Sequence, residues 1–198
     1  KAALQIAFEH DNTVLIEKFI PGREFRIFII NDEVVGILHR VPANVTGDGV
    51  LNIGQLIDRK NEDPLRGKGY RTPLEKIRKG REEEMFLKQQ GMDFNTVPKE
   101  REVVYLRENS NISTGGDSID FTDDIDDSYK AIAVEAAKAL NVKITGLDMM
   151  IQDIHAPATP DNYAIIEMNF NPAIHIHCYP FKGKNRHLNH KMIKALGF

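Results

Sequence analysis

The stretch Ile165-Ile166-Glu167-Met168-Asn169-Phe170-Asn171-Pro172 decides the fold. Apolar residues crowd its start and an Asn-Pro pair ends it, which predicts a β-strand. Side chains on a strand alternate between two faces, so Glu167, Asn169 and Asn171 share one face. Ile166, Met168 and Phe170 then point to the other face, which we expect to be core. A carboxylate and two amides are costly to bury without a partner.

A second strand with a single charge lies upstream, in Ile144-Thr145-Gly146-Leu147-Asp148-Met149-Met150-Ile151. The simplest arrangement is an antiparallel pair that brings Asp148 beside Glu167 and Asn169. Two carboxylates and an amide oxygen suit Mg²⁺ or Mn²⁺, and magnesium usually completes its shell with water and nucleotide phosphates. The alternative is a hairpin whose polar face meets solvent, and these residues alone favour neither.

Composition narrows the class of protein. The 198 residues are 41% hydrophobic and 28% charged, with a net charge of −3, which argues against a nucleic-acid-binding surface. No apolar run approaches the ~20 residues of a membrane span. The lone Cys178 excludes an internal disulfide and fits a reducing cytoplasm. The sequence starts within an amphipathic helix and without an initiator Met, so we expect a piece of a longer chain.

The order of elements predicts an α+β fold with a mainly antiparallel sheet and flanking helices. A helix over 2–9 comes first, and strands over 14–20, 24–30 and 34–41 form a meander with a tight turn between the last two. Residues from about 50 to 100 read as a helical insertion packed on one side of the sheet. Further along, a strand over 103–106 and a helix over 127–140 precede the two acidic strands.

Within the insertion, two helix starts are expected. Asn52 is placed to cap a helix that runs to about Lys60. Thr72-Pro73-Leu74-Glu75 combines a cap, a proline at the first helical position and a glutamate placed for a capping box. Gly80 then divides the following residues into two helices, and Gly91 ends the second.

The first strands carry a candidate nucleotide site. Glu17 lies inside an apolar run, and Glu24 and Arg26 share a face of the next strand. Free backbone groups at the end of a strand can bind the edge of a flat heterocycle, and a carboxylate such as Glu24 can accept from both ribose hydroxyls. The alternative is a solvated hairpin with an ion pair, and for this stretch taken alone it is the better supported interpretation.

Two polar loops and the tail carry the other candidate side chains. Arg40 opens the glycine-bearing loop 40–49 and could fork onto phosphate or carboxylate oxygens, although an ordinary surface turn reads the same way. The loop 107–118 is dense in hydroxyls, amides and glycines, which favours binding of a small polar ligand over mere flexibility. Four tail histidines match no structural zinc pattern: His175, His177, His187 and His190.

Taken together, these motifs resemble the C-terminal lobe of an ATP-grasp ligase over nearly the whole chain. Within that group the chain is most similar to the family of bifunctional bacterial glutathione synthetases, and cyanophycin synthetase is similar in the same places. The motifs that carry the resemblance are Arg40-Val41-Pro42-Ala43-Asn44-Val45, Asp48-Gly49, Asn109-Ser110-Asn111-Ile112-Ser113-Thr114-Gly115-Gly116-Asp117 and Asn169-Phe170-Asn171-Pro172.

The resemblance implies a role for each candidate residue. Glu17 and the backbone near Phe19 and Ile20 would hold adenine, and Glu24 would hold the ribose. The metal ligands for Mg²⁺ or Mn²⁺ would be Asp148, Glu167 and Asn169. The catalytic residues would be Arg40, on the phosphoryl group, and Asn111, in the loop that faces the substrates.

The resemblance also implies a reaction. The carboxylate of γ-glutamylcysteine attacks ATP to give an acyl phosphate, and the amine of glycine displaces phosphate to form glutathione. A second ATP-grasp lobe, with a phosphate-binding lysine and a lid, and a glutamate–cysteine ligase module are expected upstream, so the fragment alone should be inactive. A nucleotide-binding module without turnover is the competing interpretation, and no nucleic acid or membrane partner is expected.

Overall fold

A computed structural model describes residues 2–16 and 18–198 of the chain. Its α-helices are α1 Ala2–His10, α2 Ile53–Lys60, α3 Arg81–Gln89, α4 Asp127–Ala139, α5 His175–Cys178 and α6 Leu188–Ala195. Its strands are β1 Arg23–Ile30, β2 Glu33–Val41, β3 Asn44–Thr46, β4 Arg66–Gly67, β5 Leu74–Glu75, β6 Val103–Tyr105, β7 Asp117–Asp120, β8 Ile144–Ile151 and β9 Tyr163–Asn169. A short 3-10 helix spans Ile112–Thr114.

A five-stranded sheet organises the chain, in the order β7-β2-β1-β8-β9, and each neighbouring pair is antiparallel. Asn31 and Asp32 join β1 to β2 with φ of 47° and 66°, the positive values that a two-residue hairpin turn of this hand requires. The predicted α+β class and the antiparallel pairing of the two acidic strands are confirmed.

One face of the sheet forms the larger core against α4. Alternate residues of β1 and β8 point to this side, including Phe25, Ile27, Leu147 and Met149, and all four are fully buried. Tyr129 of α4 packs among them and donates a 3.0 Å hydrogen bond from its hydroxyl to the Asp153 carbonyl. Burial of this apolar face fixes the register, so every second residue of β1 and β8 is turned to the opposite face.

That opposite face is divided into an apolar end and a polar end. Phe28 and Ile30 form the apolar end and are covered by Cys178 of α5 and Leu188 of α6. The polar end carries four charged side chains from three adjacent strands: Glu24, Arg26, Arg40 and Asp148. The polar end is not covered by α5 and α6 in this way, and its side chains line two cavities.

A second, smaller core is built from α2 and α3, which lie within the predicted insertion over 50–100, and from the flanking antiparallel pair β3–β6. Asn52 caps α2 as predicted, since its side chain accepts from Gln55 N at 2.8 Å and its own backbone N–H donates to Gln55 Oε1 at 3.0 Å. Gly80 is the N-cap of α3, and Gly91 follows that helix with φ of 71°. These two helix boundaries agree with the sequence.

The helix predicted to start at Thr72-Pro73-Leu74-Glu75 does not form. Leu74–Glu75 instead pairs in parallel with Arg66–Gly67. The side chain of Asn61 bonds both the N–H and the C=O of Ile77 at 2.8 Å, and Arg66 donates to the Glu75 carbonyl at 2.9 Å. Buried partners satisfy these backbone groups in an extended conformation, so the local capping signal is overridden by tertiary contacts.

The strand predicted over 14–20 was also wrong for the residues that the structure describes, since 14–16 and 18–20 lie in no helix or strand. Leu15, Ile16 and Phe19 are exposed by 80%, 76% and 86%, so their apolar pattern meets no core within the described residues. A strand needs a hydrogen-bonded neighbour, and periodicity alone does not supply one. The third member of the meander is therefore absent from this stretch, and β8 pairs with β1 instead.

The core face predicted for β9 and the residue after it is only partly right. Met168 packs against the larger core, but Ile166 is 53% exposed and Phe170 is 91% exposed. A register shift between Asp148 and Met149 places Ile166 outside the regular pairing, and β9 is an edge strand.

None of the helices in the described part of the chain is long and apolar enough to cross a membrane.

Candidate active site

The register of three strands brings the polar side chains together. Arg26 of β1 pairs directly with Asp148 of β8, and Glu24 lies two residues earlier on the same face. On the other side of β1, the pairing of Phe25 with His39 sets Arg40 beside Glu24. The β-sheet thus collects two carboxylates and two guanidinium groups at one end of one face.

Asp148 is the centre of this cluster. It is only 2% exposed, and its carboxylate is bound by Arg26 through two bonds, from Nε to Oδ1 and from Nη2 to Oδ2 at 2.7 Å. Arg40 Nη2 adds a third bond to Oδ2 at 2.8 Å. A buried carboxylate with no cation nearby would be strongly unfavourable, so the two arginines account for how this charge is kept inside.

The proposed metal ligands lie on one face. Asp148 and Glu167 are direct partners across β8 and β9, and Gly146 faces Asn169 in the same pairing. Asn169 Nδ2 donates to Glu167 Oε1 at 3.0 Å, which orients the Asn169 amide oxygen and the second Glu167 oxygen for other partners. Glu167 itself is exposed, unlike Asp148.

This donor set fits a hard divalent cation, because it offers oxygen atoms from two carboxylates and one amide. In residues 2–16 and 18–198, no three His, Cys, Asp or Glu side chains converge in the manner of a metal centre. The third protein donor is therefore the amide oxygen of Asn169. Three protein donors leave the other coordination positions of a magnesium ion for water and phosphate oxygens. The metal assignment of these three residues stays a prediction.

Glu24 links the sheet to the polar loop. Its Oε1 forms an ion pair with Arg40 Nη2, and its Oε2 accepts a hydrogen bond from the Ser110 hydroxyl. Its side chain is 26% exposed, so part of the carboxylate faces the cavity. The Glu24 backbone carbonyl also lies 3.0 Å from His39 Nδ1, which must carry the proton because a carbonyl only accepts.

Two cavities meet at Arg40. The larger, of about 640 Å³, is lined by Glu24, His39, Met150 and residues of the loop 107–111. The smaller, of about 190 Å³, is lined by Arg26, Tyr70, Ser113 and His175 among others. Arg40 and Asn111 line both, and the buried Nε of Arg40 has no hydrogen-bond partner among the described residues.

Hydrogen bonds within the polar loop fix its backbone, and a close approach at Gly116 packs the loop against β2. The Asn111 carbonyl accepts from Thr114 N at 3.1 Å, from Thr114 Oγ1 at 2.8 Å and from Gly116 N at 3.2 Å. A Cβ at Gly116 would lie 2.8 Å from the Val41 carbonyl oxygen, so glycine is required for this close approach. The backbone of Asn111 is thus fixed, and Asn111 lies at the junction of the two cavities.

The remaining nucleotide-binding candidates lie at the edge of the described site. Phe19 is 86% exposed and Ile20 is partly buried, and neither belongs to a strand. Glu17 lies outside the described residues. Gly22, which follows closely, lines the larger cavity together with Glu24.

Two histidines flank the cluster, the half-buried His39 and the buried His177, and both have a lowered pKa. Burial lowers the pKa of His39 to about 4, and the charge of Arg23 adds to the shift. Burial lowers the pKa of His177 to about 3, with a further contribution from the charge of Arg26. Both imidazoles are therefore neutral near pH 7. Neither ring nitrogen of His177 has a hydrogen-bond partner among the described residues.

Sequence analysis missed the role of Arg26 and Ser110. Strand alternation places Arg26 on the face of Glu24 and no further, because its contact with Asp148 depends on pairing between residues 122 positions apart. Ser110 was one of several hydroxyls in a polar loop, and its bond to Glu24 spans 86 residues. The alternation of β1 was the one available signal for Arg26.

Comparison with known proteins gives close relatives. The chain is 66% identical over 192 residues to the glutathione biosynthesis bifunctional protein of Desulfotalea psychrophila, and 58% identical over 194 residues to that of Clostridium perfringens. These matches cover 97% and 98% of the chain but 25% of each relative. The chain thus spans about a quarter of the length of the curated relatives it matches. No model of a protein family matches it.

A solved structure agrees with these relatives. The crystal structure of a bifunctional glutathione synthetase from Pasteurella multocida superposes with a TM-score of 0.84 at 47% identity. The match covers 98% of this chain and 27% of that one. High identity over nearly the full chain, together with the shared fold, confirms the resemblance seen in the motifs. Over about a quarter of their length, the bifunctional glutathione biosynthesis proteins are therefore closely similar to this chain in sequence and fold.

Proposed function

We propose that this chain is part of an ATP-dependent carboxylate–amine ligase of the ATP-grasp type, which joins γ-glutamylcysteine to glycine and gives glutathione. The observation that carries the proposal is the cross-strand pair of Asp148 and Glu167, which lies beside Arg40 where two cavities meet. The names of relatives up to 66% identical support the same reaction.

Residues 1–198 would form the C-terminal lobe of the ligase module, with residues from about 50 to 100 as an insertion. The relatives are about four times as long as this chain, which supports a second ATP-grasp lobe and a glutamate–cysteine ligase module upstream. We propose that the protein works in the cytoplasm, where the lone Cys178 would stay reduced.

ATP would bind across the larger cavity. Glu24 faces this cavity and can accept from ribose hydroxyls, while Ser110 and Arg40 hold its carboxylate in place. The backbone near Phe19 and Ile20 would bind adenine, because residues 18–20 lie outside any strand ladder. Glu17 would assist there.

The divalent cation, Mg²⁺ or Mn²⁺, would be held by Asp148, Glu167 and Asn169. When bound, it would offset the charge of the ATP phosphates during phosphoryl transfer. The three residues supply oxygen donors on one face of β8 and β9, which is the support for this assignment.

Arg40 and the polar loop would act on the reacting groups during phosphoryl transfer and amide formation. A substrate carboxylate oxygen attacks the γ-phosphorus and ADP leaves; the glycine nitrogen then attacks the acyl carbon, loses a proton and expels inorganic phosphate. Arg40 lines both cavities, so its guanidinium group can donate to an oxygen that gains charge in either step. Asn111, at the junction of the cavities, would orient the acyl group.

The test is Glu167→Gln in the full-length protein. The change keeps the shape of the side chain and removes one of the negative charges proposed to bind the cation. We expect loss of Mn²⁺-dependent ATP binding and of ADP release with γ-glutamylcysteine and glycine. The matched control is Glu135→Gln on α4, an exposed carboxylate whose 3.5 Å ion pair joins it to a neighbour on its own helix.

Retention of both binding and turnover in Glu167→Gln would contradict the metal assignment. A panel of other amine and acid substrates, run on the unmodified protein, separates glutathione synthesis from a cyanophycin-type reaction. Glycine should give the fastest ADP release, and preference for aspartate or arginine would contradict the proposed substrates.

A further inference from the structure

Two arginines bind the carboxylate of Asp148, and the contacts differ in kind. Arg26 donates hydrogen bonds to both carboxylate oxygens, while Arg40 donates to one of them and also forms an ion pair with Glu24. Nothing in the sequence motifs assigned a role to Arg26. The difference between the two contacts indicates which arginine belongs to the scaffold and which faces ligands.

Arg26 is fixed by its surroundings. It sits directly opposite Asp148 in the sheet, and its side chain is only 9% exposed. Its stem lies against Gly146, where an added Cβ would come within 3.0 Å of Arg26 Cδ and 2.7 Å of Pro172 Cβ. Because Gly146 has no side chain, the Arg26 side chain has room to pass beside it and reach Asp148.

Arg40 is held less completely. It makes one bond to Asp148, at 2.8 Å, and one ion pair to Glu24. Its buried Nε has no partner among the described residues, and the side chain lines both cavities. A ligand oxygen entering either cavity can therefore replace the contact between Arg40 and Asp148.

The bonds to Asp148 leave room for one more partner. Each carboxylate oxygen can accept about two hydrogen bonds. Oδ2 accepts from Arg26 and Arg40, whereas Arg26 is the sole donor to Oδ1 among the residues that the structure describes. If Arg40 turns to a ligand, both oxygens have an open position, and the Arg26 fork still fixes the plane of the carboxylate.

We propose that Arg26 is a positioning residue: its bidentate contact holds the Asp148 carboxylate in the plane in which it faces a divalent cation shared with Glu167. This inference rests on the proposed function, because it concerns the same cation. Arg26 acts through Asp148 and touches neither substrate nor nucleotide. Arg40 is the arginine that exchanges Asp148 for ligand oxygens, and Arg26 keeps its contact throughout.

The test measures Mn²⁺ binding, with and without ATP, by the full-length protein carrying Arg26→Lys. Lysine keeps the positive charge but cannot fork onto two oxygens, so a role in charge alone would leave binding unchanged. Partners that orient metal ligands typically contribute 10- to 100-fold to metal affinity or activity, so we expect Mn²⁺ affinity to fall by about 10-fold or more. ATP affinity measured without the metal should stay within about twofold of the unmodified protein, because the role of Arg26 is confined to the cation.

The matched control is Arg59→Lys, which alters an exposed arginine–aspartate pair with Asp48 at 2.8 Å. It should leave Mn²⁺ binding unchanged. Mn²⁺ affinity in Arg26→Lys equal to that of the control would overturn the role of Arg26 while leaving the proposed function intact. If Glu167→Gln binds Mn²⁺ as tightly as the unmodified protein, the proposed metal site fails, and this inference fails with it.

A second measurement needs no variant and covers the case in which Arg26→Lys does not fold. A crystal structure of the unmodified protein with Mn²⁺ and a non-hydrolysable ATP analogue should retain both bonds from Arg26 to Asp148 and lose the bond from Arg40. An Arg26 side chain that has turned away from Asp148 in that complex would overturn the inference.

Discussion

Asp148 and Asp117 are two buried aspartates with matching surroundings and different consequences. Asp148 is 2% exposed and Asp117 is 4% exposed, and each is bound by two cationic side chains. In both clusters one arginine leaves its Nε without a partner among the described residues, Arg40 in one and Arg66 in the other. Burial and charge pairing alone do not separate them.

The difference lies in what else the cations and the carboxylate touch. Lys60 and Arg66, the partners of Asp117, also bind the backbone carbonyls of Asn44 and Glu75 at 2.9 Å each. They thereby tie α2 and β5 of the insertion to β7 at the edge of the sheet. Phe181 packs over both cations, with centroid distances of 5.2 Å and 5.4 Å.

Asp148 has a different neighbourhood. Its arginines bind only carboxylates in the hydrogen bonds and ion pairs of the described residues, and Glu167 faces it across the strands with Asn169 beside it. We therefore interpret the Asp117 cluster as a structural brace that connects α2 and β5 to β7, and the Asp148 cluster as a candidate ligand-binding site. The neighbour of Asp117 is the amide of Asn44, which donates to it at 3.0 Å, whereas Asp148 faces a second carboxylate, Glu167, and this second carboxylate distinguishes the candidate site.

The largest expected effect is on the brace. Asp117→Asn takes the paired carboxylate from the buried Arg66 and the half-buried Lys60, and breaking a buried pair in this way usually costs about 3–5 kcal/mol. Hydrogen–deuterium exchange of α2 and β7 in the full-length protein should show a loss of protection of that order. Protection equal to that of the unmodified protein would mean that the contacts of Phe181 and the backbone carbonyls suffice without the carboxylate.

The second effect is on the site. Asp148→Asn should lower ADP release with both substrates by at least about 100-fold, since a proposed metal ligand loses its charge. Protection of β1 and β8 should fall as well, because Arg26 is left buried without its carboxylate partner, while Arg40 keeps its ion pair with Glu24. If ADP release by Asp148→Asn stays within tenfold of that of the unmodified protein, Asp148 has a structural role like that of Asp117.

A smaller effect separates nucleotide binding from the rest of the site. Glu24→Gln removes the charge from the proposed hydrogen bonds to the ribose hydroxyls, and the loss corresponds to about 10-fold in affinity for ATP. We expect the KM for ATP to rise by that factor, with a smaller change in kcat. The control is again Glu135→Gln, and an unchanged KM would contradict the assignment of Glu24 to the ribose.

The smallest effect concerns a histidine beside the Asp148 cluster. The folded protein holds the pKa of His177 at about 3, below its ordinary value of 6.5, because burial disfavours the charged ring. Unfolded chains therefore bind more protons between these values, so the stabilising contribution is present above pH 6.5 and is lost as pH falls toward 3. Between pH 6.5 and 5.5 this loss is about 1 kcal/mol.

His177→Phe removes the titrating ring and should flatten the pH dependence in that window. Hydrogen–deuterium exchange of α5 and α6, compared at the two pH values after correction for intrinsic rates, measures the change. The control His155→Gln alters an exposed histidine and should keep the slope of the unmodified protein. Equal slopes in all three proteins would show that His177 charges freely in the folded state.

Much of the site could be predicted because strand alternation is local. The polar side chains at 148, 167 and 169 interrupt apolar runs, and alternation puts 167 and 169 on one face, so an antiparallel pair that adds 148 to it could be expected from the residues. Arg26 could be placed on the face of Glu24 but not against Asp148, because that contact depends on the pairing of β1 with β8. The capping signal at Thr72 failed for the same reason, since Asn61 and Arg66 satisfy the backbone that a helix would have used.

The sequence by itself determined the α+β class, the antiparallel acidic strands, the caps of α2 and α3, and the motifs that indicate the family. Each of these depends on residues close together in the chain or on an ordered set of short motifs. Tertiary structure alone decided which cation binds which carboxylate, and it separated the brace at Asp117 from the candidate site at Asp148. Ion pairs between distant strands carry no local pattern, because their partners are set by sheet register and by the packing that fixes it.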